Sequence, residues 1–194
     1  MNIKNKQFLT HGKRGFIYTG LLNGKKIVIK SKNPNSLAEG RIKNEYTFLK
    51  ILNKHKIGPK LIKFSNNSII YYYVKGEFIL DYIEKNEKKK IISILKEILK
   101  QCFILDKLKI NKLEMHFPIK HIIIDKKPVL IDFERCYFTE NPKNVTQFCQ
   151  FLMSIKELLV KKKININEKE FIKILKEYKS KQNNKNFKKI IKLI

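Results

Sequence analysis

Five stretches of the chain carry residue types and spacings suited to chemistry on phosphates. In Thr10-His11-Gly12-Lys13-Arg14-Gly15-Phe16-Ile17, two glycines lie three apart ahead of an apolar residue. Without a Cβ, the backbone at such positions can lie close over a phosphate. In Ile27-Val28-Ile29-Lys30, a lysine closes an apolar run and sets an ammonium at the end of a strand. Glu45 shares a helical face with Ile42, Leu49 and Leu52, at spacings that bring side chains together on a helix. A carboxylate on an apolar stripe needs a partner, because an unpaired buried charge is strongly destabilising, and Lys30 is the natural one. Val129-Leu130-Ile131-Asp132-Phe133-Glu134 ends an apolar strand on a carboxylate. Asn111 to His121 includes Glu114, His116 and His121 and leads into the strand Ile122-Ile123-Ile124.

Strands and helices must position these residues. Residues 7–32 are strands and turns, with Asn23-Gly24 between two apolar runs as a hairpin signal. Residues 36–54 are a helix opened by the capping box Ser36-Leu37-Ala38-Glu39, and Gly58-Pro59 is a stop signal beyond it. Residues 60–64 and 69–74 are strand-like around the turn Ser65-Asn66-Asn67. Residues 78–109 are mostly helix, with Ile91, Ile94, Leu95, Ile98 and Leu99 at helical spacing. Residues 110–120 form an irregular loop. Two short strands flank Asp125-Lys126-Lys127-Pro128, and helices are expected over 144–162, 167–181 and 184–194. Strands with one helix first, then mostly helices with one hairpin, predict an α+β protein of two lobes. They are expected at 1–75 and 76–194, meeting near Val74-Lys75-Gly76-Glu77.

The order of these stretches, more than any one of them, resembles the protein-kinase-like layout over residues 7 to about 155. Thr10 to Ile17 fits G-x-G-x-x-G-x-V, with Thr10 for the first glycine and Ile17 for the valine. Ile27 to Lys30 fits V-A-I-K, and Asp132-Phe133-Glu134 fits D-F-G with glutamate for glycine. The chain is most similar to small microbial atypical kinases of the RIO-like group and to predicted archaeal serine/threonine kinases. The resemblance implies a two-lobed fold with an antiparallel-sheet first lobe, one main helix and a reduced helical second lobe. It implies that Gly12, Gly15 and Ile17 cover ATP, that Lys30 contacts its phosphates and that Glu45 positions Lys30. It further implies that Tyr73 and Val74 lie in a hinge beside adenine, and that Asp132 binds Mg²⁺, with Mn²⁺ an alternative. The activity implied is phosphoryl transfer from Mg-ATP to a serine or threonine of a protein.

The chain departs from that pattern in three ways. H-R-D is absent; aligned on Pro118, Glu114 takes the acidic position and would orient the acceptor hydroxyl. The residue seven further on, where an asparagine ordinarily holds a second metal ion, is His121. The segment after Asp132 runs straight to the helix at 144, with no A-P-E element. Asp106 is the other nearby aspartate and reads as helix surface.

Composition bounds the alternatives. The chain has 194 residues, and 43 Lys+Arg against 17 Asp+Glu give a formal charge of +26. Only Arg14, Arg41 and Arg135 are arginines, so most of this charge is lysine on a chain also crowded with isoleucine and asparagine. A hydrophobic content of 43% excludes a disordered chain. The longest apolar run, Ile69 to Val74, is far short of the roughly 20 residues that span a bilayer. No apolar segment comes after the basic N-terminus, so neither a membrane span nor a signal peptide is expected. Cys102, Cys136 and Cys149 read as reduced core thiols of a cytoplasmic protein. Three other functional readings stay open: a pseudokinase binding module, a basic RNA- or ribonucleoprotein-associated protein, and a metal site of Glu114, His116, His121 and Asp132. Walker A and Rossmann fingerprints are absent.

Overall fold

Hairpins closed by residues of positive φ organise the start of the chain. The computed structural model describes residues 2–11, 15–33 and 40–194. The chain divides into two compact units, one of Met1–Lys75 with Val129–Cys136, the other of Gly76–Pro128 with Tyr137–Ile194. The first unit holds β1 (Lys4–His11), β2 (Gly15–Leu22), β3 (Lys25–Lys32), α1 (Arg41–Asn53), β4 (Leu61–Ser65) and β5 (Ser68–Tyr72). The strands form an antiparallel sheet in the order β1-β2-β3-β5-β4. Asn23 (φ 49°) and Gly24 (φ 74°) close the β2–β3 hairpin, with Leu22 opposite Lys25. Asn66 (φ 49°) and Asn67 (φ 53°) do the same between β4 and β5. Positive φ at both central residues matches the twist of the flanking strands.

Strand alternation divides the sheet into two faces. Ile27, Ile29 and Ile70 form a core on one face, joined by Tyr18 and Tyr72. Cross-strand partners share a face, so Ile17, Lys30 and Ile69 lie side by side on the other. α1 packs on β3, β4 and β5 and buries Ile42, Glu45, Phe48, Leu49 and Leu52. The helix begins at Arg41, after Gly40 in the left-handed region at φ 70°. The expected capping box at Ser36–Glu39 lies outside the described residues. Behind α1, Gly58 has φ 81°, and a Cβ there would stand 2.6 Å from Leu49 Cδ1 and 2.9 Å from Phe133 Cε2.

The second unit is helical. It contains β6 (Glu77–Phe78), α2 (Ile79–Lys85), α3 (Lys88–Lys107), β7 (Ile110–Lys112), a 3-10 turn at Leu113–His116 and β8 (Ile122–Ile124). β9 (Pro128–Leu130) and β10 (Cys136–Phe138) mark the two passages between the units. Then come α4 (Asn144–Ser154), α5 (Lys156–Lys161), α6 (Glu168–Ser180) and α7 (Asn184–Lys192). The helix expected over 78–109 is thus two helices. Asn86 and Glu87 are extended between them, and the Asn86 side-chain amide donates to the Tyr82 carbonyl at 2.9 Å. The helix expected over 144–162 likewise breaks at Ile155. Asn167 and Asn183 cap α6 and α7, their side chains accepting from the amides of Glu170 and Asn186.

The α3 stripe is buried as its spacing predicts, and it continues through Cys102 and Leu105 to Asp106. Asp106 is therefore not helix surface. At 2% exposure, it accepts from the Asn144 amide (3.0 Å), the Asn144 side chain (2.7 Å), the Val145 amide (3.3 Å) and the Tyr178 hydroxyl (2.9 Å). Burial pushes its carboxyl above the usual aspartate range even though these donors favour the charged form. Asn144 also donates to the Ile110 carbonyl and accepts from the Lys112 amide. Aspartate, α4, α6 and β7 are thereby tied into one hub. Phe103 and Phe187 stack beside it, 4.2 Å between ring centroids and 3° between planes. All three cysteines are buried and unbridged, and burial raises the Cys102 and Cys149 thiols, which keeps them unreactive. Among the described residues no helix is long and apolar enough to cross a membrane.

Two substitutions test this packing, both by urea unfolding monitored with circular dichroism. Gly58→Ala combines a left-handed backbone with overpacking against Leu49 and Phe133, and is expected to lower stability by about 2–4 kcal/mol. Asp106→Ala strands buried donors on two elements, α4 and α6, and is expected to cost roughly 3 kcal/mol or more.

Candidate functional site

Lys30 is the centre of the first unit's chemistry. β3 runs through the interior of the sheet, so its side chain projects between those of Ile17 and Ile69 toward α1. The side chain is 9% exposed, and its Nζ meets Glu45 Oε2 at 2.7 Å, Asp132 Oδ1 at 2.8 Å and Glu134 Oε2 at 3.2 Å. The expected pairing of Lys30 with Glu45 is thus formed, and two further carboxylates join it. Burial alone would pull the ammonium down, but Glu45, Asp132 and Glu134 outweigh it and hold Lys30 well above the ordinary lysine value. Burial also raises Glu45, against the attraction of Lys30 and with the repulsion of Asp132 and Glu134.

The turn after β9 delivers two of the three. Asp132 stands at φ 63°, a left-handed conformation that an aspartate tolerates better than most residues. It places Asp132 and Glu134 toward Lys30 while Phe133 is fully buried near Gly58. α1 grips the same turn. Asn44 Nδ2 donates to the carbonyls of Glu134 (3.0 Å) and Cys136 (2.9 Å), and Arg41 Nη1 donates to that of Glu134 (3.4 Å). Arg41, Asn44 and Glu45 fall at i, i+3 and i+4, so one helix face holds both the turn and the lysine.

Glu45, Asp132 and Glu134 each offer an oxygen, and these atoms lie within 4.8 Å of one another. Among the described residues this is the one group of three possible ligands close enough for a single ion. All-oxygen donors suit Mg²⁺ or Mn²⁺. The residues present therefore fit the metal. His116 and His121 are not in this group.

The other expected residues are spread over both units. Gly15 is buried opposite Lys32, and a Cβ there would stand 2.7 Å from the Ser31 carbonyl oxygen. Gly12 lies outside the described residues. Ile17 sits directly across from Lys30. Tyr73 and Val74 come after β5 in extended chain; the Tyr73 amide donates to the Lys26 carbonyl at 3.0 Å, and Lys26 Nζ lies 4.3 Å from the Tyr73 ring centre. In the second unit, Glu114 is buried in the 3-10 turn and pairs with the fully buried Lys112 at 2.9 Å. His121 is half-buried at the start of β8, its amide donating to the Pro118 carbonyl. Sequence reasoning left Glu134 without a role: it lies beyond the end of β9, and its approach to Lys30 goes with the left-handed turn at Asp132. Arg41, Asn44 and Lys112 carried no sequence signal of their own.

No family model and no curated protein sequence matches this chain. Among solved structures, it is similar to a crystal structure of the Rio2 kinase–ADP/Mg²⁺–phosphoaspartate complex from Chaetomium thermophilum, with a TM-score of 0.60 at 16% identity. The match covers 83% of this chain and 56% of that one, so the chain spans little more than half the length of the structure it matches. The likeness is one of fold: the chain has the α+β, two-lobed kinase-like architecture, with a five-stranded antiparallel sheet in one lobe and helices in the other.

Proposed function

We propose that this chain binds ATP with Mg²⁺ and transfers its terminal phosphoryl group to a serine or threonine of a protein. The observation that carries the reading is the buried Lys30 ammonium, held by Glu45 at 2.7 Å and by Asp132 at 2.8 Å. In this reading Lys30 donates to the phosphates, and Glu45 fixes its direction from α1. Asp132, with its side chain 32% exposed, holds the metal ion. Mg²⁺, when bound, neutralises phosphate charge as it develops. Ile17, beside Lys30 on the same sheet face, together with Gly15, covers the nucleotide, and Tyr73 and Val74 border its base. Positioning and charge neutralisation are the main levers of such chemistry, and together they account for large rate effects.

A second reading, nucleotide binding without transfer, is favoured by one observation. Glu114, the residue expected to orient the acceptor hydroxyl, is 7% exposed and committed to Lys112.

The test is ATP binding by calorimetry and single-turnover ATP cleavage, with Mg²⁺ and then Mn²⁺. Lys30→Met and Asp132→Asn are each expected to lower cleavage at least ~100-fold, the scale of losing one preorganised charge contact. Full cleavage in either variant overturns the catalytic assignment. Binding by the wild type without cleavage selects the second reading, and Glu114→Gln then changes nothing. If transfer is real, Glu114→Gln is expected to lower it by about 10²-fold or more.

A further inference from the structure

Within the second unit, α4 and α6 leave a groove between them of about 430 Å³, within the size range of ligand sites. The Gln182 side chain donates to the Pro142 carbonyl at 2.7 Å, so the chain leaving α6 lies beside the start of α4 and the two helices run antiparallel. On α6, Ile172, Leu175, Lys176 and Lys179 fall at i, i+3, i+4 and i+7 and form one wall. The groove is polarised along its length. Lys143 at the start of α4 gathers with Lys176 and Lys179 at one end. All three are exposed, and none pairs with a carboxylate among the described residues. Met153 and Ile172 lie at the other end, with Ile172 44% exposed, and Leu175 is buried between. Midway stand Gln147 and Gln150, and Gln147 Oε1 has no donor among the described residues. No acidic and no aromatic side chain lines the groove.

Three cations without a counter-charge favour an anionic occupant, and the exposed Ile172 favours one that also brings an aliphatic side chain. Glutamine amides donate and accept, as the main chain of a peptide does. A single-stranded nucleic acid binds on aromatic side chains that stack its bases, and the groove has none. A second copy of this chain would bring a formal charge of +26 to a cationic surface and is repelled. We propose that the α4–α6 groove docks an extended acidic segment of a partner protein. One aliphatic side chain of that segment rests on Met153 and Ile172, and its carboxylates meet Lys143, Lys176 and Lys179. A turn or two of helix, about 10 Å across, would overfill the groove. Seven helical residues separate Ile172 from Lys179, about 10 Å, which roughly three extended residues span. The segment therefore carries its aliphatic residue three or four positions from its first carboxylate. This site is independent of the nucleotide reading.

The experiment selects from a displayed library of random ten-residue peptides on the full-length protein. The strongest binder is synthesised with a fluorescent label, and its Kd is measured by anisotropy at 0.15 M salt on wild type and three variants. Selection is expected to enrich aspartate and glutamate together with one Leu, Ile or Met at the stated spacing. Lys176→Glu with Lys179→Glu is expected to weaken the peptide at least ~10-fold, and Ile172→Ser about 5-fold or more. Lys185→Glu with Lys188→Glu makes the same charge change on an exposed face of α7 and is expected to alter the Kd by less than ~2-fold, because salt screens separated surface charges. All five positions are exposed, and circular dichroism confirms that each variant folds. Absence of an acidic and aliphatic consensus overturns the proposal. Equal losses from the α6 and α7 pairs also overturn it and mark a general charge effect. A uridylate decamer that displaces the peptide and binds more tightly than it, with the loss confined to the α6 pair, overturns peptide docking in favour of a nucleic-acid site.

Discussion

An ammonium cannot be buried in the first unit without carboxylates to receive it, and most of that unit's arrangement serves this requirement. Lys30 lies on an interior strand, at 7% exposure, where an unpaired charge would be severely destabilising. Its three partners come from two segments far apart in sequence, α1 and the turn after β9. Residues 129–136 accordingly belong to the first unit although the chain has by then passed through β6 to β8 in the second. Phe133 anchors the apolar side of that turn, and Gly58 leaves room for it. The ion cluster and the small core behind it thus fix each other.

The second unit solves a related problem differently. Asp106 is as deeply buried as Lys30, but it meets neutral donors rather than an opposite charge. Its carboxyl rises under burial while Asn144 and Tyr178 hold it down. Such a hub specifies how α3, α4 and α6 meet, because each donor comes from a fixed position on its own element. Lys112 and Glu114 add a buried ion pair beside the same α4 terminus, through the Lys112 amide on Asn144. Pairing with Lys112 commits the Glu114 carboxylate to a buried contact within the second unit, at the place where the sequence departs from H-R-D.

Local patterns made part of this legible. Alternation exposed the Lys26–Lys30 strand, Asn23-Gly24 its hairpin, and helical spacing the buried face of α1 with Glu45 upon it. Those patterns depend on nearest neighbours in sequence. Asp106 was misread because its helical position looks like the polar margin of an apolar stripe, and only α4 and α6 supply its donors. The break at Ile155 was invisible for the same reason: hydrophobic spacing continues across it while the helix does not, whereas the break at Asn86–Glu87 falls within the wholly polar run Glu84–Lys90. Glu134 was visible as a replacement for glycine, but its contact with Lys30 depends on Asp132 adopting φ 63°, which no propensity forecasts.

That left-handed aspartate links geometry to charge. A residue at positive φ persists when its surroundings over-determine it, and here both sides of the turn are held: the carbonyls of Glu134 and Cys136 by Asn44, and the side chains of Asp132 and Glu134 by Lys30. Arg41, Asn44 and Glu45 belong to one face of one helix, so α1 cannot shift against β3 without also pulling on the turn. The position of the helix, the conformation of the turn and the freedom of the ammonium are therefore one coupled variable, set by how many negative charges a single buried lysine must balance.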